Sequence, residues 1–490
     1  MRLRLHILKI STGKPVIFLH ESSANKMGVH TGDRVIIKKN GDSLVAVVDL
    51  VKGFIKKGEV AISEELDAAL KGHNKRYIKV FPSEIAESSS ILQNQIKCNE
   101  YSEKDLEKIM SDIVNNLLTE AEIAYFISGM VHCKSSIKEI IYLINAIVKT
   151  GTRISWPYKI VADKHSIGGI AGNRTTPIVV SICASAGVIM PKTSSRAITS
   201  AAGTADTVES ISPVSLSVSQ LKKVVHKTGA CLVWGGSLGL APADDKLIRV
   251  EKLLRVDPES QLLASILAKK VSVGSTHVLI DIPFGDGAKV SKAQGEKLGQ
   301  LFVSLGKKLG LKIKTVLTDG KEPIGHGIGP ILEMKDVLKV LKQDNSPQDL
   351  ENKSLFLAGT ILELVGKAKK GQGIIKAREL LHSGLAYKKF CEIIYAQGGD
   401  PKTWLQEAKF NHTMVSKHNG VIKKIDNKDI NYLARITGCP LDKSAGVYLY
   451  KHIGEYIQEG EKILTLFSES KQKLKEAIKF FKKHKPIVIK

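Results

Sequence analysis

The chain has 490 residues, 43% hydrophobic and 25% charged, and its 73 Lys and Arg against 49 Asp and Glu give a formal net charge of +24. That length asks for about three domains, and that balance belongs to a folded globular chain and not to a disordered one. No apolar run approaches the roughly 20 residues that cross a bilayer, and the opening MRLRLHILKI alternates charged and apolar residues, so the expectation is a cytoplasmic protein with no membrane partner.

Residues 1–84 predict a small β-rich domain. RLRLHI, KPVIFL, DRVIIKK and SLVAVVDLV are short strand-like runs separated by turn signals such as Lys39-Asn40-Gly41-Asp42. The Ser-rich segment from Glu87 to Ser90 reads as a linker. A helical domain is expected over 85–157, with Ser102 capping SEKDLEKIM and a Thr119-x-x-Glu122 capping box ahead of IAYFISGM. DDKLIRVEKLL and PESQLLASILAKK return to it at about 243–272. Over 158–242 and 273–408, apolar strand, glycine-rich turn and helix alternate, which predicts a central α/β sheet domain. HNGVIKKID and GVYLYKHIGEYIQEGEKILTLF predict a C-terminal α+β domain over 409–490, in which KQKLKEAIKFFKKHK forms an amphipathic helix with a solvated basic face. The fold class is therefore multidomain, α/β and α+β.

Cys98, Cys133, Cys183, Cys231, Cys391 and Cys439 stand singly, with no C-x-x-C pair and no His at metal-ligand spacing. Reduced thiols and no metal site are the expectation. The positive charge is compatible with nucleic acid or with small anions. Its lysines are spread along the whole length and only 5% of residues are aromatic, which argues against a nucleic-acid partner; a nucleic-acid-binding protein, the alternative class, would bind oligonucleotides with a steep salt dependence.

Two stretches carry the chemistry: DKHSIGGIAGNRTTP at Asp163 to Pro177 and TSSRAITSAAGTADTVE at Thr193 to Glu209. A glycine-rich turn after a strand lets backbone N–H groups approach an oxyanion, and hydroxyls with a lysine complete a cradle for phosphate. Such loops also occur as plain turns. Neither stretch matches G-x-x-x-x-G-K-[ST] or G-x-G-x-x-G, so neither a nucleoside-triphosphatase nor a dinucleotide site is indicated.

Together these residues resemble the thymidine/pyrimidine-nucleoside phosphorylase family, whose loops read D-K-H-S-x-G-G and S-G-R-x-L-x-x-T-G-G-T-x-D-x-x-E. The spelling SSRAITS, the loop IDIPFGDGAKV and the N-terminal β-rich domain are more similar to its AMP phosphorylase branch. The resemblance spans nearly the whole chain. It implies a nucleoside phosphorylase or glycosyltransferase-like α/β domain and phosphorolysis of a nucleoside 5′-monophosphate, AMP with phosphate giving adenine and ribose 1,5-bisphosphate, with CMP and UMP as further substrates. It implies no cofactor, inorganic phosphate being a substrate, and a homodimer or larger homo-oligomer. Thymidine or uridine phosphorolysis is the alternative.

Carried over by position, the resemblance gives inorganic phosphate to Lys164, Ser166, Thr175, Ser194 and Thr204. It gives the nucleotide to Gly169, Ser195, Arg196, Ala197, Ile198, Thr199, Ser200, Thr204, Ser265 and Lys289, and proton donation to Asp257. His165 and Lys269 are weaker candidates. Lys164 and His165 could also be turn residues at the surface, and Lys289 a solvated lysine opening a helix. Asp257, directly before Pro258, could equally cap a helix; as an acid near neutral pH it would need burial against neighbours such as Leu262 and Leu263. Two departures set the chain apart from nucleoside phosphorylases: Ser200 stands where they carry His, and Lys289 where they carry an apolar residue. A 5′-phosphate calls for an added cation, and Lys289 can supply it.

Overall fold

The computed structural model describes residues 1–39, 42–70, 77–84, 86–93, 98–197 and 200–490. Asn40 and Gly41 of the expected turn lie outside them. The chain divides into two units, one of Met1–Thr150 with Pro242–Leu262 and one of Gly151–Ala241 with Leu263–Lys490.

In the first unit, period-two alternation builds a closed barrel. Ile17 and Leu19, Val35 and Ile37, Val60 and Ile62, Ile78 and Val80 are every-other residues that share one buried cluster. The strands run in the order Arg2–Ile7, Glu59–Ile62, Val16–His20, Asp42–Val51, Arg34–Lys39, Tyr77–Pro82. Four of these six are the apolar runs read from the sequence, and Glu59–Ile62 with Tyr77–Pro82 complete the ring. Closure leaves no unpaired edge.

Helices follow where their caps demand. Ser102 and Asp105 form a reciprocal box opening Glu103–Val114, and Thr119 and Glu122 do the same for Glu120–His132. The helix Pro242–Leu254 returns to this unit. Its Lys246 Nζ donates to the carbonyls of Ile113 and Val114 at 2.8 and 2.7 Å, a cation at a helix C-terminus.

Two expectations are corrected here. The segment read as a linker opens a helix, Glu87–Gln93, because Ser88 is buried and its hydroxyl donates to Asp112 at 2.7 Å. That partner comes from tertiary packing, which no sequence window displays. Cys98 and Cys133, expected as thiols, form a disulfide across 35 residues. Folding brings their Cα atoms to 5.4 Å, inside the reach of such a bond. Cys183, Cys231, Cys391 and Cys439 are free.

The second unit is built on parallel strands. Lys312–Asp319, His277–Phe284 and Ala162–Ser166 form one sheet, and Met190–Ser194 pairs with Ala230–Trp234. The amide of Ala162 donates to the carbonyl of Ile189 at 2.8 Å, bringing the two sheets together. The helix Thr175–Ser185 carries no charged residue and is buried on all sides, as an uncharged all-round surface requires.

The C-terminal part adds a four-stranded sheet in the order Gly327–Ile328, Gly446–Leu449, Lys462–Ser468, Phe410–Val415. It also adds a three-stranded sheet of Tyr456–Ile457, Gly420–Ile425 and Ile487–Ile489, and the helices Asn427–Thr437 and Lys471–His484. Among the described residues no helix is long and apolar enough to cross a membrane.

Candidate functional site

Alternation along the strand Ala162–Ser166 sorts the DKHS motif into two sets, Asp163 with His165 and Lys164 with Ser166. Asp163 meets Lys270 Nζ at 2.7 Å and Lys192 Nζ at 3.3 Å. Burial opposes its ionisation, but the two lysines and their hydrogen bonds outweigh that and hold its pKa below the usual carboxylate range. His165 is pushed well below its ordinary value, first by burial and then by Lys270, Lys192, Lys269 and Lys164, so its imidazole is neutral. On the other side, Lys164 is buried and its Nζ donates to Thr175 Oγ1 at 2.9 Å. Burial pushes its pKa down to about 8, with Lys353 and Arg174 adding to the depression and Asp281 opposing it.

After Ser166 the chain turns through Gly168 and Gly169, both at positive φ, and enters the helix Thr175–Ser185. Gly169 sits in a tight place at φ +95°. A Cβ there would lie 3.0 Å from Lys289 Cγ and 3.3 Å from the Lys289 amide nitrogen, so the loop after His277–Phe284 packs directly on the first loop. Lys289 thereby stands beside Gly168 and Gly169.

The second loop joins the strand Met190–Ser194 to the helix Thr204–Val208. Its ends are tied by Asp206, whose Oδ2 accepts the amides of Ala197 at 2.7 Å and Gly203 at 2.8 Å. Arg196 completes the knot: it donates to Asp206 at 3.1 Å and to both oxygens of Glu209 at 2.8 and 2.6 Å, and lies over the Trp234 ring. The Arg196 hydrogen bonds bring the Glu209 pKa down to about 2. Ser200 Oγ donates to the carbonyl of Ala202 at 2.7 Å, and the Ser194 hydroxyl is buried with no hydrogen-bond partner among the described residues. Ile198 and Thr199 lie outside the described residues.

Arg174, which the sequence reading passed over, bridges the two loops. From the end of the first it donates to Thr204 Oγ1 at 2.7 Å and to the Ala202 carbonyl at 2.8 Å, while its Nε pairs with Glu333 at 2.6 Å. Its place inside DKHSIGGIAGNRTTP was the only signal available. Asp281, which accepts from Thr318 Oγ1 at 2.6 Å and lies 3.4 Å from Lys353 Nζ, was also missed. Burial opposes the ionised form of Asp281, and Lys353 and Lys164 outweigh it. Around the loops, the buried Lys164, Lys192, Lys270 and Arg174 and the nearly buried Lys353 are five cations set against the four buried carboxylates Asp163, Asp206, Asp281 and Glu333. An excess of buried positive charge is stabilised by an anion.

The structure thus gathers Lys164, Ser166, Gly169, Thr175, Ser194, Ser195, Arg196, Ala197, Ser200, Thr204 and Lys289 into three adjoining loops of one unit. Ser265 and Lys269 share a helix face, with Lys269 Nζ 3.5 Å from Ser265 Oγ. Asp257 belongs to the other unit and is exposed, so the expected burial of its carboxyl is not seen. Among the described residues no group of three His, Cys, Asp or Glu is arranged to hold a metal ion.

Residues 158–387, which contain all three loops, match the glycosyl transferase family a/b domain, and residues 421–488 match the pyrimidine nucleoside phosphorylase C-terminal domain. AMP phosphorylase 1 of Archaeoglobus fulgidus is 39% identical over 98% of this chain and 95% of its own length. The AMP phosphorylase of Pyrococcus furiosus is 40% identical over 100% of this chain and 98% of its own. A Legionella pneumophila protein provisionally named a thymidine phosphorylase is 40% identical over 99% of this chain and 95% of its own. Among solved structures, anthranilate phosphoribosyltransferase of Thermus thermophilus aligns with a TM-score of 0.53 at 16% identity, covering 63% of this chain and 99% of that one, a likeness of fold. Matched along its whole length at these identities, the chain belongs to the AMP phosphorylase branch of the thymidine/pyrimidine-nucleoside phosphorylase family.

Proposed function

We propose that the chain is a pentosyltransferase that cleaves AMP with inorganic phosphate, releasing adenine and ribose 1,5-bisphosphate, and that CMP and UMP are further substrates. The observation that carries this reading is the full-length similarity to proteins named AMP phosphorylase. The charge excess around the loops supports it, because two anions must be held near one sugar carbon.

In this reading Lys164, Ser166, Thr175, Ser194 and Thr204 hold the attacking phosphate. Gly169, the run Ser195 to Ser200, Thr204, Ser265 and Lys289 hold the nucleotide, with Lys289 on the 5′-phosphate. A phosphate oxygen forms a bond to the anomeric carbon as the bond to the base nitrogen breaks. The electron pair of that bond leaves with the base, which takes a proton; Asp257 is the carboxyl that the family pattern offers as its donor. Arg196 serves by holding the second loop through Asp206 and Glu209. Inorganic phosphate enters as a substrate and no cofactor takes part.

The wider expectations join the same proposal. They are a cytoplasmic homodimer or larger homo-oligomer, divided at 1–84, 85–157 with 243–272, 158–242 with 273–408, and 409–490. The test is product analysis: adenine should appear only when both AMP and phosphate are present, with a sugar carrying two phosphates. Adenine released without phosphate, with ribose 5-phosphate as the sugar, would show a hydrolase instead. The provisional name of the Legionella relative favours a second reading, thymidine cleavage, and thymidine belongs in the same assay.

A further inference from the structure

The helix Asn427–Thr437 carries Asn427 and Asn431, four residues apart and therefore on one face. Asn427 is fully buried. Its Oδ1 accepts the backbone N–H of Ala171, 256 residues away in the chain, at 3.1 Å, and its Nδ2 donates to the carbonyl of Gly320 at 3.1 Å. Asn431 Oδ1 accepts the backbone N–H of Ala201, 230 residues away, at 2.9 Å. Ala171 lies in the first loop and Ala201 in the second. Both are fully buried in the same apolar cluster as Ile430, Leu433 and Ala434. The third loop meets the same helix, since a Cβ on Gly287 would lie 3.6 Å from Asn427 Cβ.

A buried backbone N–H must be paired, and in these loops the partner is a side-chain amide of the C-terminal helix. The helix is itself fixed. Asp426 caps it by accepting the amides of Lys428 at 3.0 Å and Asp429 at 3.1 Å, and its own amide donates to Pro486 at 2.9 Å. One rigid face therefore sets the course of both loops that carry the candidate substrate contacts.

We propose that Asn427 and Asn431 are positioning residues with unequal labour: Asn427 sets the first loop, whose Lys164, Ser166 and Thr175 face inorganic phosphate and whose Gly169 faces the nucleotide, and Asn431 sets the second loop, whose run Ser195 to Ser200 faces the nucleotide and whose Ser194 and Thr204 face phosphate. This rests on the phosphorolysis reading and assigns the C-terminal helix a part in it. Neither asparagine touches substrate. Asn427 acts through the Ala171 amide and the Gly320 carbonyl and Asn431 through the Ala201 amide, so each should weigh most on the substrate that its own loop mainly contacts.

The experiment is steady-state kinetics of the full chain with AMP and phosphate varied separately. Asn431→Leu should raise the KM for AMP by about tenfold, the scale of one buried hydrogen bond, and the KM for phosphate by a clearly smaller factor, about two- to threefold, through Ser194 and Thr204. Asn427→Leu should show the reverse. Asn431→Asp keeps an acceptor oxygen for Ala201 and should restore the KM for AMP. Amide hydrogen exchange should quicken at Ala201 in Asn431→Leu and at Ala171 in Asn427→Leu. Where a leucine variant does not fold, the alanine variant carries the same comparison.

Both KM values rising by the same factor in each variant, or kcat alone falling with the fraction of folded enzyme, would reduce the asparagines to ordinary structural residues and overturn the proposal. If the unmodified chain releases no adenine, the activity reading fails by itself. Exchange at Ala171 and Ala201 then still judges the clamp, and rates unaltered in both variants would refute it.

Discussion

Burial brings the Lys164 ammonium to a pKa of about 8, so its charge titrates within the range of an ordinary assay. A cation is lost as pH rises through that value. The expected outcome is a fall in kcat/KM for phosphate above about pH 8, and Lys164→Arg should remove that limb because a guanidinium stays charged. A limb that survives the arginine would belong to another group, and Lys270, which burial also brings to about 8, and Lys353, which burial lowers too, are the ones beside the loops. Lys164→Ala should lower kcat/KM for phosphate about 10–10²-fold at neutral pH, the worth of a charge-assisted contact. Asp257→Asn should lower turnover by roughly 10²–10⁴-fold with little change in KM if that carboxyl protonates the base. Activity retained together with a lower melting temperature would instead make Asp257 a helix cap. Lys289→Ala should cost AMP a few kcal/mol in kcat/KM and adenosine almost nothing, because only AMP presents a 5′-phosphate. Equal losses for the two substrates in that double-difference comparison would take Lys289 off the phosphate.

At the scale of elements, what was legible is what is local. Strand, glycine turn and helix recur within a few residues, so the α/β pattern, the DKHS loop, the Ser102 cap and the Thr119–Glu122 capping box could be read from a window of sequence. The groups that hold the loops together could not. Arg174 meets Thr204 and Glu333 across 30 and 159 positions of chain, Asn427 meets Ala171 across 256, and Cys98 meets Cys133 across 35. Each such pair is made by packing, and neither partner's neighbours announce it. Ser88 shows the converse: a serine-rich run reads as loose until the carboxylate of Asp112 gives it a partner. The Arg174–Glu333 pair has the energetics of a buried ion pair. Glu333→Gln should therefore destabilise the protein by about 3–5 kcal/mol, since the guanidinium stays buried without its counter-charge. Denaturant unfolding measures this, and a change below about 1 kcal/mol would mean that Thr204 and Ala202 suffice to satisfy Arg174.

For the whole molecule, the +24 charge read from composition was ambiguous between partners, and the structure narrows part of it to a place. Four buried cations and the nearly buried Lys353 stand around three loops in a region that matches the glycosyl transferase a/b domain, while the remaining lysines are dispersed. The candidate site could be named from sequence only because several short motifs, none decisive alone, occur in one order along the chain. Spacing by itself stopped at an anion cradle. The choice between nucleotide and nucleoside then turns on one residue, Lys289, and on the company of relatives named AMP phosphorylase. The central claim is that the substrate carries a 5′-phosphate. Its most direct test is kcat/KM for AMP, adenosine and thymidine with the unmodified chain at one saturating phosphate concentration. AMP should exceed both nucleosides by about 10² or more, the worth of a charge-assisted contact to the added phosphate; thymidine equal to or better than AMP would contradict the account.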